Sequence, residues 1–92
     1  MSAGTLVTEV LESLPQPVGP DVIDDVFCAI EANKRWQAEF DGLAGGYRDG
    51  RDGAAKVIAW TVSRQIGLAD THDKRCVSRS GLAKTYTRMR VP

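Results

Sequence analysis

Residues 33–67 read NKRWQAEFDGLAGGYRDGRDGAAKVIAWTVSRQIG, and the fold turns on how this stretch is read. Trp36, Phe40, Leu43 and Tyr47 recur one or two turns apart on one face of an α-helix. Three of these four are aromatic, so the stripe is expected to anchor a core. Gly45 and Gly46 weaken the end of that helix and place Tyr47 just beyond it. Arg48-Asp49-Gly50-Arg51-Asp52-Gly53 then gives two Asp-Gly steps, which read as successive turns. A second helix is predicted from about Ala54 to Ile66, with Gly67 as its stop. Ala54, Val57, Ile58, Val62 and Ile66 face one way along it, while Lys56, Trp60 and Arg64 follow at steps of four on the other side.

Working toward the N-terminus, Pro20 suits a first helical position, and Asp21, Asp24 and Asp25 put negative charge at the positive end of a helix dipole. Val22, Ile23, Val26, Phe27 and Ile30 form an apolar stripe, and Asn33 both stops this helix and caps the next. Pro15, Pro17, Gly19 and Pro20 forbid regular structure, so residues 15–20 are a linker. Ahead of it, Leu6, Val7, Val10, Leu11 and Leu14 mark a further helix within residues 1–14, either docked or an exchangeable arm. The core expected from these patterns is Val22, Ile23, Val26, Phe27, Ile30, Trp36, Phe40, Leu43, Val57, Ile58, Val62 and Ile66.

Toward the C-terminus, Asp70 or Thr71 would cap a short turn. Val77, Leu82, Tyr86 and Met89 suit a helix starting near Ser80, which is the favoured reading. Thr85-Tyr86-Thr87 suits a strand instead, with Ser78–Gly81 as a hairpin turn. Residues 1–92 thus form one mainly α domain, a compact bundle of four to five short helices around a helix-turn-helix-like centre, closed by a short helix or β-hairpin. Residues 21–92 are its helical core. A chain this short buries little, and its stability is expected on the order of 5 kcal/mol.

The charge is partitioned along the chain. Residues 1–53 carry ten acids and four bases, and residues 54–92 carry two acids and eight bases. The formal total is zero, but after Asp73 only cations follow: Lys74, Arg75, Arg79, Lys84, Arg88 and Arg90. Such asymmetry often marks a binding surface, and with Ser78, Ser80, Thr85, Thr87 and Tyr86 as neutral donors it suits contact with phosphates. Lys56, Trp60 and Arg64 are the second candidate: an exposed aromatic between cations can stack on a base or anchor a protein interface. Most large aromatics are buried, and the favoured reading covers Trp60 with the first helix. The helix (34–46), turn and helix (54–66) outline a helix-turn-helix with an overlong turn, and a hairpin at 76–90 would add a basic wing.

Other chemistries find little to work with. Gly42–Gly53 lacks the Gly-Lys-Ser/Thr ending of a phosphate loop, and Asp49 and Asp52 do not complete a calcium loop. His72 and Cys76 with Cys28 fall short of a structural zinc site, and a Cys28–His72 dyad would need distant segments to meet. No metal, cofactor or catalytic constellation is implied, so the chain reads as a non-enzyme. Two cysteines make no disulfide framework and suit a reduced cytoplasm. No apolar run reaches the ~20 residues that span a bilayer, and Glu9 and Glu12 interrupt the stretch a secretory signal would need.

Ala29-Ile30-Glu31-Ala32-Asn33-Lys34-Arg35-Trp36, Glu39-Phe40, Arg64-Gln65-Ile66-Gly67-Leu68 and Ser80-Gly81-Leu82-Ala83-Lys84-Thr85-Tyr86-Thr87-Arg88-Met89 carry a resemblance. Over Ile30–Met89, about two thirds of the chain, the sequence resembles short helical accessory proteins of phages and mobile elements. The resemblance implies a bacterial host and either a small regulator or an inhibitor of a defence complex, such as an anti-CRISPR. It assigns no residue a role. The expectation is therefore a non-catalytic regulatory protein whose basic face docks on nucleic acid or a nucleoprotein, as a monomer or as a homodimer joined through Val7, Val10 and Leu11. The alternative is a defence-complex inhibitor acting by protein contact, or by using Asp21, Asp24, Asp25, Glu31, Glu39 and Asp41 to mimic DNA phosphates.

Overall fold

A computed structural model describes residues 1–67 and 71–91, and for residues 71–74 the backbone alone. Four helices, α1 (Ala3–Ser13), α2 (Val22–Ala32), α3 (Lys34–Ala44) and α4 (Arg51–Gln65), precede an antiparallel hairpin of β1 (Thr71–Val77) and β2 (Thr85–Met89). The expected cap at Asp70 lies outside the described residues. None of the described helices is long and apolar enough to cross a membrane.

Asn33 shows why α2 and α3 are separate helices. It terminates α2 in an extended conformation, and its Oδ1 accepts hydrogen bonds from the backbone N–H groups of Arg35 (3.0 Å) and Trp36 (3.2 Å). One side chain thus satisfies two of the donors that the start of α3 leaves free. The expected stripe of α2 is buried in full: Val22, Ile23, Val26, Phe27 and Ile30 all lie in the core. Asp21 is its N-cap residue, and Pro20 lies just outside the helix rather than in its first turn.

The aromatic stripe of α3 contributes less than its spacing promised. Phe40 is fully buried, but Trp36 and Leu43 are only partly covered, and Tyr47 is exposed in the turn after the helix. α1 supplies the missing cover. Its Leu6, Val7 and Val10 are wholly buried, and burial of such side chains contributes about 2 kcal/mol each, too much for a small chain to leave exposed. Polar ties hold α1 in place. Gln65 Nε2 donates to the Gly4 carbonyl (2.8 Å), Thr8 Oγ1 donates to Gln65 Oε1 (2.9 Å), and Trp36 Nε1 donates to Glu9 (3.1 Å). Of the two readings of α1, the structure shows the docked one, with Val7 and Val10 fully buried and Leu11 partly buried within the chain.

α4 begins at Arg51, earlier than expected, and buries Ala54, Ala55, Ile58 and Val62. Val57 and Ile66 are only partly covered. The C-terminal segment is the hairpin, not the favoured short helix. Val77 pairs with Thr85, Cys76 with Tyr86 and Arg75 with Thr87, and the Ser78 N–H donates to the Lys84 carbonyl to close the loop. β-branched and aromatic residues at 85–87 suit a pleated strand. The loop at 78–84 drops Leu82 into the core, and β2 ends on the fully buried Met89, whose N–H donates to the Pro20 carbonyl (2.8 Å). Neither Leu82 nor Met89 was part of the core expected from helical periodicity.

Candidate nucleic-acid interface

The outward face of α4 is set by its inward one. With Ile58 and Val62 buried, helical geometry points Lys56, Trp60 and Arg64 away from the core. Trp60 is 61% exposed, so α1 does not cover it. The Arg64 guanidinium carbon lies 4.6 Å from the centre of the indole ring, a cation–π contact.

The hairpin stands beside this face. Between them runs a groove of about 490 Å³. From α4 come Lys56, Trp60 and Ser63; from the hairpin come Arg75, Lys84, Tyr86 and the threonines at 85 and 87. Ile23, Phe27, Ala55, Ala59 and Ala83 give it an apolar floor, and Asp52 contributes one carboxylate at its edge. Arg75 is steadied by donating to Thr85 Oγ1 (3.3 Å). Among the described residues, no carboxylate lies within ion-pair distance of Lys56, Arg64, Arg75 or Lys84.

Two of the late cations are used internally. Arg79 Nε donates to Asp24 and its Nη2 to Asp25, both at 2.6 Å. Asp24 is completely buried and also accepts from Ser78 Oγ (2.6 Å) and the Arg79 N–H. These carboxylates hold the Arg79 guanidinium well above its ordinary pKa. Arg88 Nε (3.0 Å) and the Tyr86 hydroxyl (2.8 Å) both donate to Asp21 Oδ1. The Tyr86 hydrogen bond, with help from Arg88, keeps Asp21 below the usual carboxylate range, and in return Tyr86 is pushed above the usual phenol range. The idea that all the late cations form one free patch is thus corrected: Arg79 and Arg88 clamp the hairpin to α2.

Of the ten residues expected to bind, Lys56, Trp60, Arg75, Lys84 and Tyr86 meet at the groove, and Arg64 joins through its stack on Trp60. Arg79 instead borders a second depression, with Cys28 and the 15–19 linker. Arg90 is exposed beyond β2, and the Lys74 side chain is not among those described. Ser63 and Asp52 were missed, although their spacing from Trp60 and Lys56 puts them on the same side of α4. No three histidine, cysteine or acidic side chains gather as a metal cluster among the described residues. The Cys28–His72 pairing lies outside them. Burial beside Asp24 pushes the Cys28 thiol up, which disfavours the reactive thiolate.

Comparisons of the chain with protein-family models, with curated proteins and with solved structures find no match. The class defined by the fold is a mainly helical domain of four helices followed by a two-stranded antiparallel hairpin.

Proposed function

We propose that this is a non-catalytic regulatory binding protein that docks on nucleic acid, free or within a nucleoprotein, through the groove between α4 and the hairpin. The observation that carries the reading is the company Trp60 keeps: an exposed indole at a groove whose cations Lys56, Arg75 and Lys84 have no carboxylate partner among the described residues. Cations free of internal partners attract phosphates, and an open aromatic adds a stacking surface. The resemblance to accessory proteins of phages and mobile elements supplies the setting, the cytoplasm of a bacterial host.

A second reading, inhibition of a bacterial defence complex by protein contact, draws on the same feature. Exposed tryptophan and arginine are typical anchors of protein interfaces. Its DNA-mimic form has less support. Asp21, Asp24 and Asp25 are bonded to the hairpin, Glu31 accepts from the Gly81 N–H, Glu39 pairs with the chain's amino terminus, and Asp41 pairs with Arg51.

A salt titration of binding to duplex and single-stranded oligonucleotides tests the proposal. The log–log slope is expected to become shallower by about 0.7–0.9 for each phosphate that a variant such as Lys56→Ala or Lys84→Ala no longer neutralises. No binding to any oligonucleotide at low salt ends the nucleic-acid reading and leaves protein contact as the better one.

A further inference from the structure

We infer that the groove takes an unpaired nucleotide of a single strand, its base laid on Trp60 and its phosphates held by Lys56, Arg75 and Lys84. This rests on the nucleic-acid reading above and narrows it. Duplex recognition by α4 meets a steric objection. A helix with its side chains is about 10–12 Å across, and the major groove is about 12 Å wide, so a recognition helix must stand clear of its neighbours. α4 does not stand clear. Lys56, Trp60 and Ser63 share one depression with Arg75, Lys84 and Thr85, so the hairpin flanks the very face that would have to enter the duplex.

A concave site suits a base that is already out of a helix. Unpaired bases are recognised by stacking on aromatic side chains, with the backbone tracked by cations. Trp60 meets the first requirement. One part of its indole is occupied by Arg64 at 4.6 Å, and the residue is still 61% exposed. The Arg64 contact favours one placement of the ring before a ligand arrives, which reduces part of the entropy lost on binding. The partly exposed Ala59 and Ala83 offer apolar contact to a base edge, over a floor backed by the buried Ile23 and Phe27, while Lys56, Arg75 and Lys84 sit at the same groove for its phosphates. Thr85 and Thr87 add hydroxyls able to hydrogen-bond to sugar or base.

The test uses the full chain and short labelled oligonucleotides: single-stranded DNA, single-stranded RNA, a matched duplex, and an abasic strand with the same number of phosphates. Both single strands, or the one whose sugar fits, are expected to bind more tightly than the duplex. Trp60→Ala is expected to weaken single-strand binding about five- to a hundredfold, Trp60→Phe is expected to restore most of it, and the abasic strand is expected to lose a similar factor. Trp60→Ala should not weaken the abasic strand further, and its melting temperature should match the wild type, since the side chain is outside the core. Equal binding of abasic and normal strands, equal binding of duplex and single strand, or a change under twofold on Trp60→Ala overturns the inference while leaving general nucleic-acid binding in place. Failure of every oligonucleotide to bind at low salt overturns both.

Discussion

Gly50 and Gly53 occupy equivalent places in the Asp-Gly triplet, yet they are glycine for different reasons. Gly50, the N-cap of α4, has φ 58° and ψ −125°, a backbone region that side chains avoid. Gly53 is helical, and its constraint is space: a Cβ there would lie 2.8 Å from the Cβ of Tyr47. A Cβ does not move with side-chain rotation, so the first turn of α4 or the Tyr47 backbone would have to shift. Overpacking of this kind costs about 1–3 kcal/mol, against a gain of about 1 kcal/mol in helix propensity. Gly53→Ala is therefore expected to lower the melting temperature by a few degrees, at about 4–8 °C per kcal/mol for a domain of this size. Gly42→Ala is the control. Gly42 is exposed inside α3 with nothing within 4 Å of an added Cβ, so the same change should raise the melting temperature. Equal stabilisation by both substitutions would show that Tyr47 does not close over Gly53. Only the first Asp-Gly step, Asp49-Gly50, is the turn the sequence promised; Asp52-Gly53 lies in the first turn of α4, and what constrains Gly53 depends on where Tyr47 comes to rest.

The helices were legible because burial imposes a period on them. α2 shows this best: its five apolar residues at helical spacing are all in the core, and Asn33 ends it where its amide can cap α3. The hairpin was harder, since Leu82, Tyr86 and Met89 fall at helical spacing by chance, while the apolar residues of its loop and second strand that become buried are Leu82, in the loop, and Met89, at the strand end. Its attachment is polar. α2 turns Asp21, Asp24, Asp25 and Glu31 toward the C-terminal segment, where Tyr86, Arg88, Ser78, Arg79 and the Gly81 N–H meet them. This latch has a pH dependence whose sign follows from Asp21. Its folded pKa lies below the ordinary 3.8, because the Tyr86 hydroxyl and the Arg88 guanidinium favour the carboxylate. A depressed acid contributes stability above its unfolded pKa and loses it as pH falls through the folded one. Asp21 is partly exposed, so the contribution is held to at most about 1 kcal/mol. Thermal melts of wild type and Asp21→Asn should differ by a few degrees near pH 6 and converge as the pH falls well below the ordinary 3.8. A gap that stays constant down to acid would remove the carboxylate from the latch.

Across the whole molecule, the opposite charges of the two halves have two uses. Part of the asymmetry is spent inside the fold, where α2 and the hairpin meet as acid and base; Lys56, Arg75 and Lys84 line the groove. Although the 61% exposure of Trp60 overturns its expected cover by α1, the helix face Lys56-Trp60-Arg64 and the cations along the tail were each legible one element at a time. Their meeting was not, because it requires the hairpin to lie against α2, which joins residues more than fifty positions apart. Reversing charges separates the two uses. Lys84 is exposed and has no carboxylate partner among the described residues, so Lys84→Glu should keep stability within about 0.5 kcal/mol of wild type. It also places a negative charge at the groove, so affinity for an oligonucleotide should fall further than it does for Lys84→Ala. Arg79→Glu sets a carboxylate against Asp24, which has no access to water, and against Asp25. The Arg79 side chain is itself 63% exposed, but Asp24 would lose the guanidinium that neutralises it and face a like charge instead, so Arg79→Glu is expected to destabilise the fold more than Lys84→Glu. Thermal melting should therefore single out Arg79→Glu, and oligonucleotide binding by folded protein should single out Lys84→Glu. A melting temperature for Arg79→Glu as high as that of Lys84→Glu would mean that Arg79 is not part of the clamp, and would return it to the pool of cations free to bind.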